Sequence, residues 1–114
     1  MINSDVLRSL QDTTDSAFVV ELIDTYLDDC PALLDGMRQA MTDGDAESFR
    51  RAAHSLKSNS ATLGAEALAE TARTLEMKAR QGQLDDVEKD LESAAGKFAG
   101  VRDELEAHKH ALQL

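Results

Sequence analysis

Residues 84–112 read LDDVEKDLESAAGKFAGVRDELEAHKHAL. Apolar side chains recur at Leu84, Val87, Leu91, Ala94, Phe98, Val101, Leu105 and Leu112, at steps of three and four apart from a gap filled by His108. That spacing lines them along one stripe of an α-helix whose other faces are charged. Asp85, with Glu88 three residues later, forms a capping box that predicts a start at 85. The stretch is therefore expected as one long helix, with one face buried against others.

The same reading extends toward the N-terminus. Leu68, Ala72, Leu75 and Ala79 share a face of a helix over 65–81, and Gly82 ends it. A helix over 45–63 opens on Asp45 as N-cap and stops at Gly64. Before it, Phe18, Val19, Leu22, Ile23, Tyr26, Cys30, Leu33, Leu34, Met37 and Met41 form a broad stripe over 16–42, capped from among Thr13, Thr14 and Asp15. Pro31 inside that stripe is expected to kink or restart the helix, because it lacks an amide donor. Residues 4–10 form a short helix whose Val6, Leu7 and Leu10 close one end. Four long amphipathic helices with brief connections predict an all-α, antiparallel up-down four-helix bundle with a short extra N-terminal helix, as a single domain over 1–114.

Composition agrees. Of 114 residues 42% are hydrophobic and 4% aromatic, enough apolar content for one modest core. The net charge of −10 argues against nucleic acid and anionic membranes as partners. No apolar run approaches the roughly 20 residues that span a bilayer, and no segment resembles a signal peptide. Cytoplasmic placement is the expectation. Cys30 has no second cysteine to pair with and is read as a packed thiol. One bundle can bury these stripes unaided, so a monomer is expected. None of this fixes a function, since bundles host many activities.

The 45–63 helix carries the one site that stands out. On a helical projection of 100° per residue, Phe49, Ala52, Ala53, Leu56, Ser60 and Leu63 gather inward, and His54 falls about 140° from Phe49. His54 thus points outward. Arg50 and Arg51 lie one turn before it, and Lys57 and Ser58 one turn after. From Ser48 to Ala65 there are three basic residues and no acidic one, a cationic island in an acidic chain that predicts an anion there. An ordinary solvated face is the plain alternative. A neutral imidazole is a competent nucleophile, and a phosphoryl group on it adds charge that Lys57 and an arginine can partly neutralise. Ser58 and Ala61 are small enough for another protein to approach closely.

No carboxylate neighbours His54 at helical spacing, so a Ser-His-Asp or Cys-His arrangement has no local support. The chain lacks GxGxxG and GxxxxGK[ST], and with them any evident means of binding ATP. His108 and His110 are two apart and do not face one another. His108 is read as packing near a helix end, and no zinc-ligand spacing accompanies the pair, so no metal site is expected. Met37 and Met41 are read as core.

The run His54-Ser55-Leu56-Lys57-Ser58-Asn59-Ser60-Ala61-Thr62-Leu63-Gly64-Ala65 resembles the pattern HxLKGxSxxxGA of the histidine-containing phosphotransfer (HPt) family. Ala52-Ala53, Ala67-Leu68-Ala69 and Leu75-Glu76 also look like the family, as do helix count and order. The resemblance implies that His54 is the phosphoacceptor, taking a phosphoryl group on Nε2 from an aspartyl phosphate on a receiver domain and passing it to another receiver. It implies that Lys57 neighbours the phosphate, that Leu56, Ser60 and Leu63 support the helix from inside, and that Gly64 makes the turn. Ser58 departs from the usual glycine, which bears on partner choice or rate.

The resemblance thus implies a phosphocarrier in a two-component multistep His-Asp relay, with no cofactor of its own and magnesium supplied by the receiver. Its partners are response-regulator receiver domains and a hybrid sensor histidine kinase. The alternative is a non-catalytic helical module that binds a receiver without accepting phosphate. A histidine domain of a chemotaxis-type kinase would need ATP-binding and dimerisation domains that these 114 residues do not contain. The cognate receivers, and whether the chain is free-standing or part of a hybrid kinase, stay open at this level.

Overall fold

A computed structural model describes residues 2–114. Five helices succeed one another: α1 (Ser4–Thr13), α2 (Ser16–Asp43), α3 (Ala46–Thr62), α4 (Glu66–Arg80) and α5 (Glu88–Leu112), with no strand among the described residues. Helices α2 to α5 pack in a ring, α2 on α3, α3 on α4, α4 on α5 and α5 back on α2. With short turns between them, this is the antiparallel four-helix bundle, and α1 is the short extra helix.

Helix lengths explain the shape. At about 1.5 Å per residue, the 28 residues of α2 nearly account for the 45 Å long axis of a molecule only 19 Å across. Helices α3 and α4 are shorter, at 17 and 15 residues. Tyr26 meets Ser60 near the end of α3, so the first turns of α2 run on beyond it. The C-terminal part of α5 covers that extension, where Lys109 pairs with Asp24 at 2.7 Å.

The core is the predicted stripes brought together, except that Phe18 in the first turn of α2 lies outside it, 48% exposed. Val19, Ile23, Cys30 and Met37 of α2, Phe49 and Leu56 of α3, Leu75 of α4 and Leu105 of α5 have no exposed surface. Met41 packs partly buried against them. Tyr26 and Phe98 meet edge to face with ring centroids 6.1 Å apart, a favoured aromatic geometry. No helix is long and apolar enough to cross a membrane, among the described residues.

Asp45 is the N-cap of α3, accepting from the Ser48 amide at 3.1 Å and the Ser48 hydroxyl at 2.6 Å. Those bonds hold its carboxyl below the usual aspartate value. Asp15 caps α2 by accepting from the Phe18 amide at 2.8 Å. Gly64 has φ +78 and joins α3 to α4; a Cβ there would lie 3.0 Å from the Asn3 carbonyl oxygen and from Val6 Cβ. Only glycine lets α1 come this close, and the Asn3 amide donates to the Gly64 carbonyl at 2.8 Å.

Three expectations need correction. Helix α1 runs to Thr13 rather than stopping at 10, since nothing in Gln11-Asp12 breaks it and the chain turns extended only at Thr14. Helix α5 begins at Glu88, not 85, and the Asp85–Glu88 capping box does not form; Val87 holds the N-cap position without a side-chain cap. Lys78 of α4 is the physical reason. Its Nζ binds the Asp86 carbonyl at 3.0 Å and the Asp90 carboxylate at 2.7 Å, tying the 84–86 segment back onto α4. Finally, α2 does not restart at Pro31 but is one continuous helix. Pro31 is exposed, so the Leu27 carbonyl that it leaves without an amide faces the solvent side. Helices α3 and α4 begin one residue later and end one residue earlier than expected.

Candidate functional site

The Asp45 cap sets the phase of α3, and the inward packing of Phe49, Ala53 and Leu56 then turns His54 outward. Its side chain is 52% exposed. The grooves lined by Leu22, Asp29, Leu33 and Asn59, between α2 and α3, do not include it. The imidazole stands on an open helix face.

Its decisive contact comes from another helix. Nδ1 of His54 lies 2.8 Å from Oε2 of Glu76 on α4, and the other carboxylate oxygen accepts from Lys57 Nζ at 2.7 Å. Arg80, one turn along α4, reaches Oε2 at 3.4 Å. Glu76 is only 3% exposed. Burial opposes its ionisation, but hydrogen bonds from Lys57 and His54 outweigh that and hold its carboxyl below the usual glutamate value. An ionised carboxylate only accepts, so Nδ1 carries the hydrogen. The lone pair then sits on Nε2, which makes no hydrogen bond among the described residues.

The carboxylate that local spacing does not supply is therefore supplied across the α3–α4 interface. The cationic island also needs correction, because it is ion-paired. Glu47, just before the acid-free stretch, accepts from Arg50 at 2.6 and 3.0 Å and from Arg51 at 3.3 Å. Those bonds hold Glu47 down to about 2. Arg50 also feels the Glu76 charge, whereas Lys57 is bonded to it directly. Ser58 and Ala61 are exposed on the His54 side of α3.

Beneath His54 the inward face of α3 is buried. Leu56, Ser60 and Leu63 are buried, and the Ser60 hydroxyl shares a 2.8 Å hydrogen bond with that of Tyr26. Gly64 makes the α3–α4 turn and so sets the register that brings Glu76 to His54. His108 and His110 belong to α5 and take no part; His108 Nε2 is buried without a hydrogen-bond partner. Among the described residues no three His, Cys, Asp or Glu side chains are grouped to hold a metal ion.

Glu76 and Arg80 are the site residues that sequence reasoning missed as such. The signal is there, since Glu76 lies between Ala72 and Ala79 on the apolar stripe of α4. A carboxylate at a core-facing position calls for a buried partner.

The family model described as the Hpt domain matches residues 21–111. The chain belongs to the Hpt domain family. The crystal structure of histidine-containing phosphotransfer protein B from Pseudomonas aeruginosa is similar to this Hpt domain over 96% of its length and 95% of that chain, with 33% identity and a TM-score of 0.91. Comparison with curated protein sequences returns no match. This Hpt domain is a phosphocarrier of His-Asp phosphorelays, a class that works with receiver domains and histidine kinases and is not a kinase in its own right.

Proposed function

We propose that His54 is the phosphoacceptor and that its Nε2 takes the phosphoryl group from an aspartyl phosphate on a receiver domain. The Nε2 lone pair attacks phosphorus, the acyl phosphate P–O bond breaks, and the aspartate leaves as a carboxylate. The ring keeps its hydrogen on Nδ1 and becomes a phosphoimidazolium, whose positive charge faces the ionised Glu76. Attack by a second receiver's aspartate reverses each of these changes. Glu76 is thus a positioning residue: it selects the tautomer, orients the ring and favours the charge that develops on it. The 2.8 Å contact between Nδ1 and this buried carboxylate is the observation that supports the reading most.

Lys57 is assigned a second role beside the phosphate, which it reaches by swinging from Glu76. Arg50, Arg51, Ser58 and Ala61 form the surface that the receiver approaches, and Leu56, Ser60, Leu63 and Gly64 hold the helix beneath. The magnesium of the transfer step is assigned to the receiver, as the family resemblance implies. We further read residues 1–114 as one phosphotransfer domain, acting as a cytoplasmic monomer between receivers, one of them in a hybrid sensor kinase.

Incubation with a phosphorylated receiver tests the assignment. Label should move onto the bundle as an acid-labile, alkali-stable phosphoramidate, and His54→Gln should abolish it. Equal labelling of His54→Gln overturns the choice of residue. Receiver binding by the wild-type protein without any transfer favours the non-catalytic module.

A further inference from the structure

Ser58 lies one turn after His54 and is exposed. Its hydroxyl makes no hydrogen bond among the described residues. In the same helical setting Thr13, Thr42, Thr62, Thr71 and Thr74 all donate to the carbonyl four residues back. Ser58, like the helical serines Ser9, Ser55 and Ser93, does not, so its donor is free one turn from the imidazole.

The two flanks of His54 differ. With His54 at zero on the helical projection, Lys57 and Arg50 fall at about −60° and −40°, and Ser58 and Arg51 at about +40° and +60°. Lys57 is bonded to Glu76 and Arg50 feels its charge, so the negative flank faces α4. His54 turns Nδ1 to that flank. Nε2, separated from Nδ1 by one ring carbon, then points outward from α3 and tilts away from α4, to the side on which Ser58 and Arg51 lie. Helical side chains lean toward the N-terminus, which carries the Ser58 hydroxyl back over the turn of His54. The Arg51 guanidinium on that flank is already engaged by Glu47 at 3.3 Å.

We infer that the Ser58 hydroxyl donates a hydrogen bond to a phosphoryl oxygen on Nε2 of His54, which makes it a ligand of the phosphorylated state. This rests on the reading of His54 as phosphoacceptor. The serine keeps its proton and no bond to it is made or broken. Phosphoryl loss passes through a loose, metaphosphate-like state, in which the oxygens carry less charge than in the bound group. A donor on them therefore holds the bound phosphoryl more strongly than the departing one and lengthens its lifetime.

The test needs no receiver. The full chain is phosphorylated with potassium phosphoramidate, the labelled residue is located by mass spectrometry, and the ³¹P resonance and first-order hydrolysis are monitored at neutral pH. Ser58→Ala and Ser58→Gly should both lose the phosphoryl group about three- to tenfold faster, as loss of one solvent-exposed charge-assisted hydrogen bond implies. Both should also shift the ³¹P resonance, and Ser58→Thr, whose hydroxyl the helix draws to the carbonyl four residues back as at the other threonines, should not exceed the wild-type lifetime. Wild-type lifetimes and resonances in the Ala and Gly variants, or an effect confined to one of them, overturn the inference while leaving His54 in place. Label on a residue other than His54 overturns the reading beneath it.

Discussion

Replacing Glu76 separates the chemistry of the site from its packing. Its two oxygens have different partners, His54 Nδ1 at 2.8 Å on Oε2 and Lys57 Nζ at 2.7 Å on Oε1. A glutamine in its place offers one acceptor. With the amide oxygen toward His54 the NH2 faces the Lys57 ammonium; flipped, the NH2 faces Nδ1–H. One contact is lost either way, and so is the negative charge opposite the forming phosphoimidazolium. The difference between a charge-assisted and a neutral hydrogen bond is about 1 kcal/mol, so Glu76→Gln should slow transfer roughly fivefold. Glu76→Ala removes the acceptor entirely and should cost about 2 kcal/mol, roughly 30-fold. Stability should fall less than for a fully buried pair. The Lys57 and Arg80 side chains are 31% and 62% exposed and can turn to water, which limits the loss to about 1–2 kcal/mol. The assay is rapid-quench transfer from a saturating phosphorylated receiver, with receiver affinity from calorimetry and folding from circular dichroism. The expected pattern is a slower rate at unchanged affinity. Folded Gln and Ala variants that both transfer at the wild-type rate refute the role given to Glu76.

Other consequences concern the scaffold. Gly64→Ala combines a left-handed backbone with a Cβ 3.0 Å from the Asn3 carbonyl oxygen, whereas Gly82 at φ +71 has open space around it. Chemical unfolding should show a loss of about 2 kcal/mol for Gly64→Ala and about 1 kcal/mol for Gly82→Ala; equal losses mean that the approach of α1 adds nothing. Tyr26→Phe keeps the ring contact with Phe98 but strands the buried Ser60 hydroxyl. A double-mutant cycle with Ser60→Ala should give a coupling of about 1 kcal/mol, and a coupling of zero means the bond is not maintained in solution. Burial pushes the Cys30 thiol from 9.0 up to about 12. The folded state therefore keeps its proton where the unfolded chain loses it, so this contribution is intact below pH 9 and lost as pH rises toward 12. Iodoacetamide at pH 8 should leave native Cys30 unmodified and alkylate it in denaturant; rapid labelling of the native protein contradicts its burial.

Much of this architecture is legible in the sequence because it is local. The stripe from Val87 to Leu105 needs only helical geometry, and so does the outward turn of His54. The caps at Asp15 and Asp45 are written in a few adjacent residues. Contacts between helices are not. Glu76 is 22 positions from His54, and their meeting depends on how the Gly64 turn sets α4 against α3. The start of α5 escapes local reading for the same reason, since a lysine on α4 outcompetes the Asp85–Glu88 pattern. The cationic island looks freer in the sequence than it is, because Glu47 lies just outside the window and folds back onto both arginines.

The central claim is that Nε2 of His54 carries the phosphoryl group while Nδ1 stays with Glu76. Heteronuclear ¹H–¹⁵N–³¹P NMR of the ¹⁵N-labelled, receiver-phosphorylated protein reads this directly. The expected result is phosphorus coupled to Nε2 of His54, with a hydrogen retained on Nδ1. Phosphorus on Nδ1 of His54, or on His108 or His110, contradicts it.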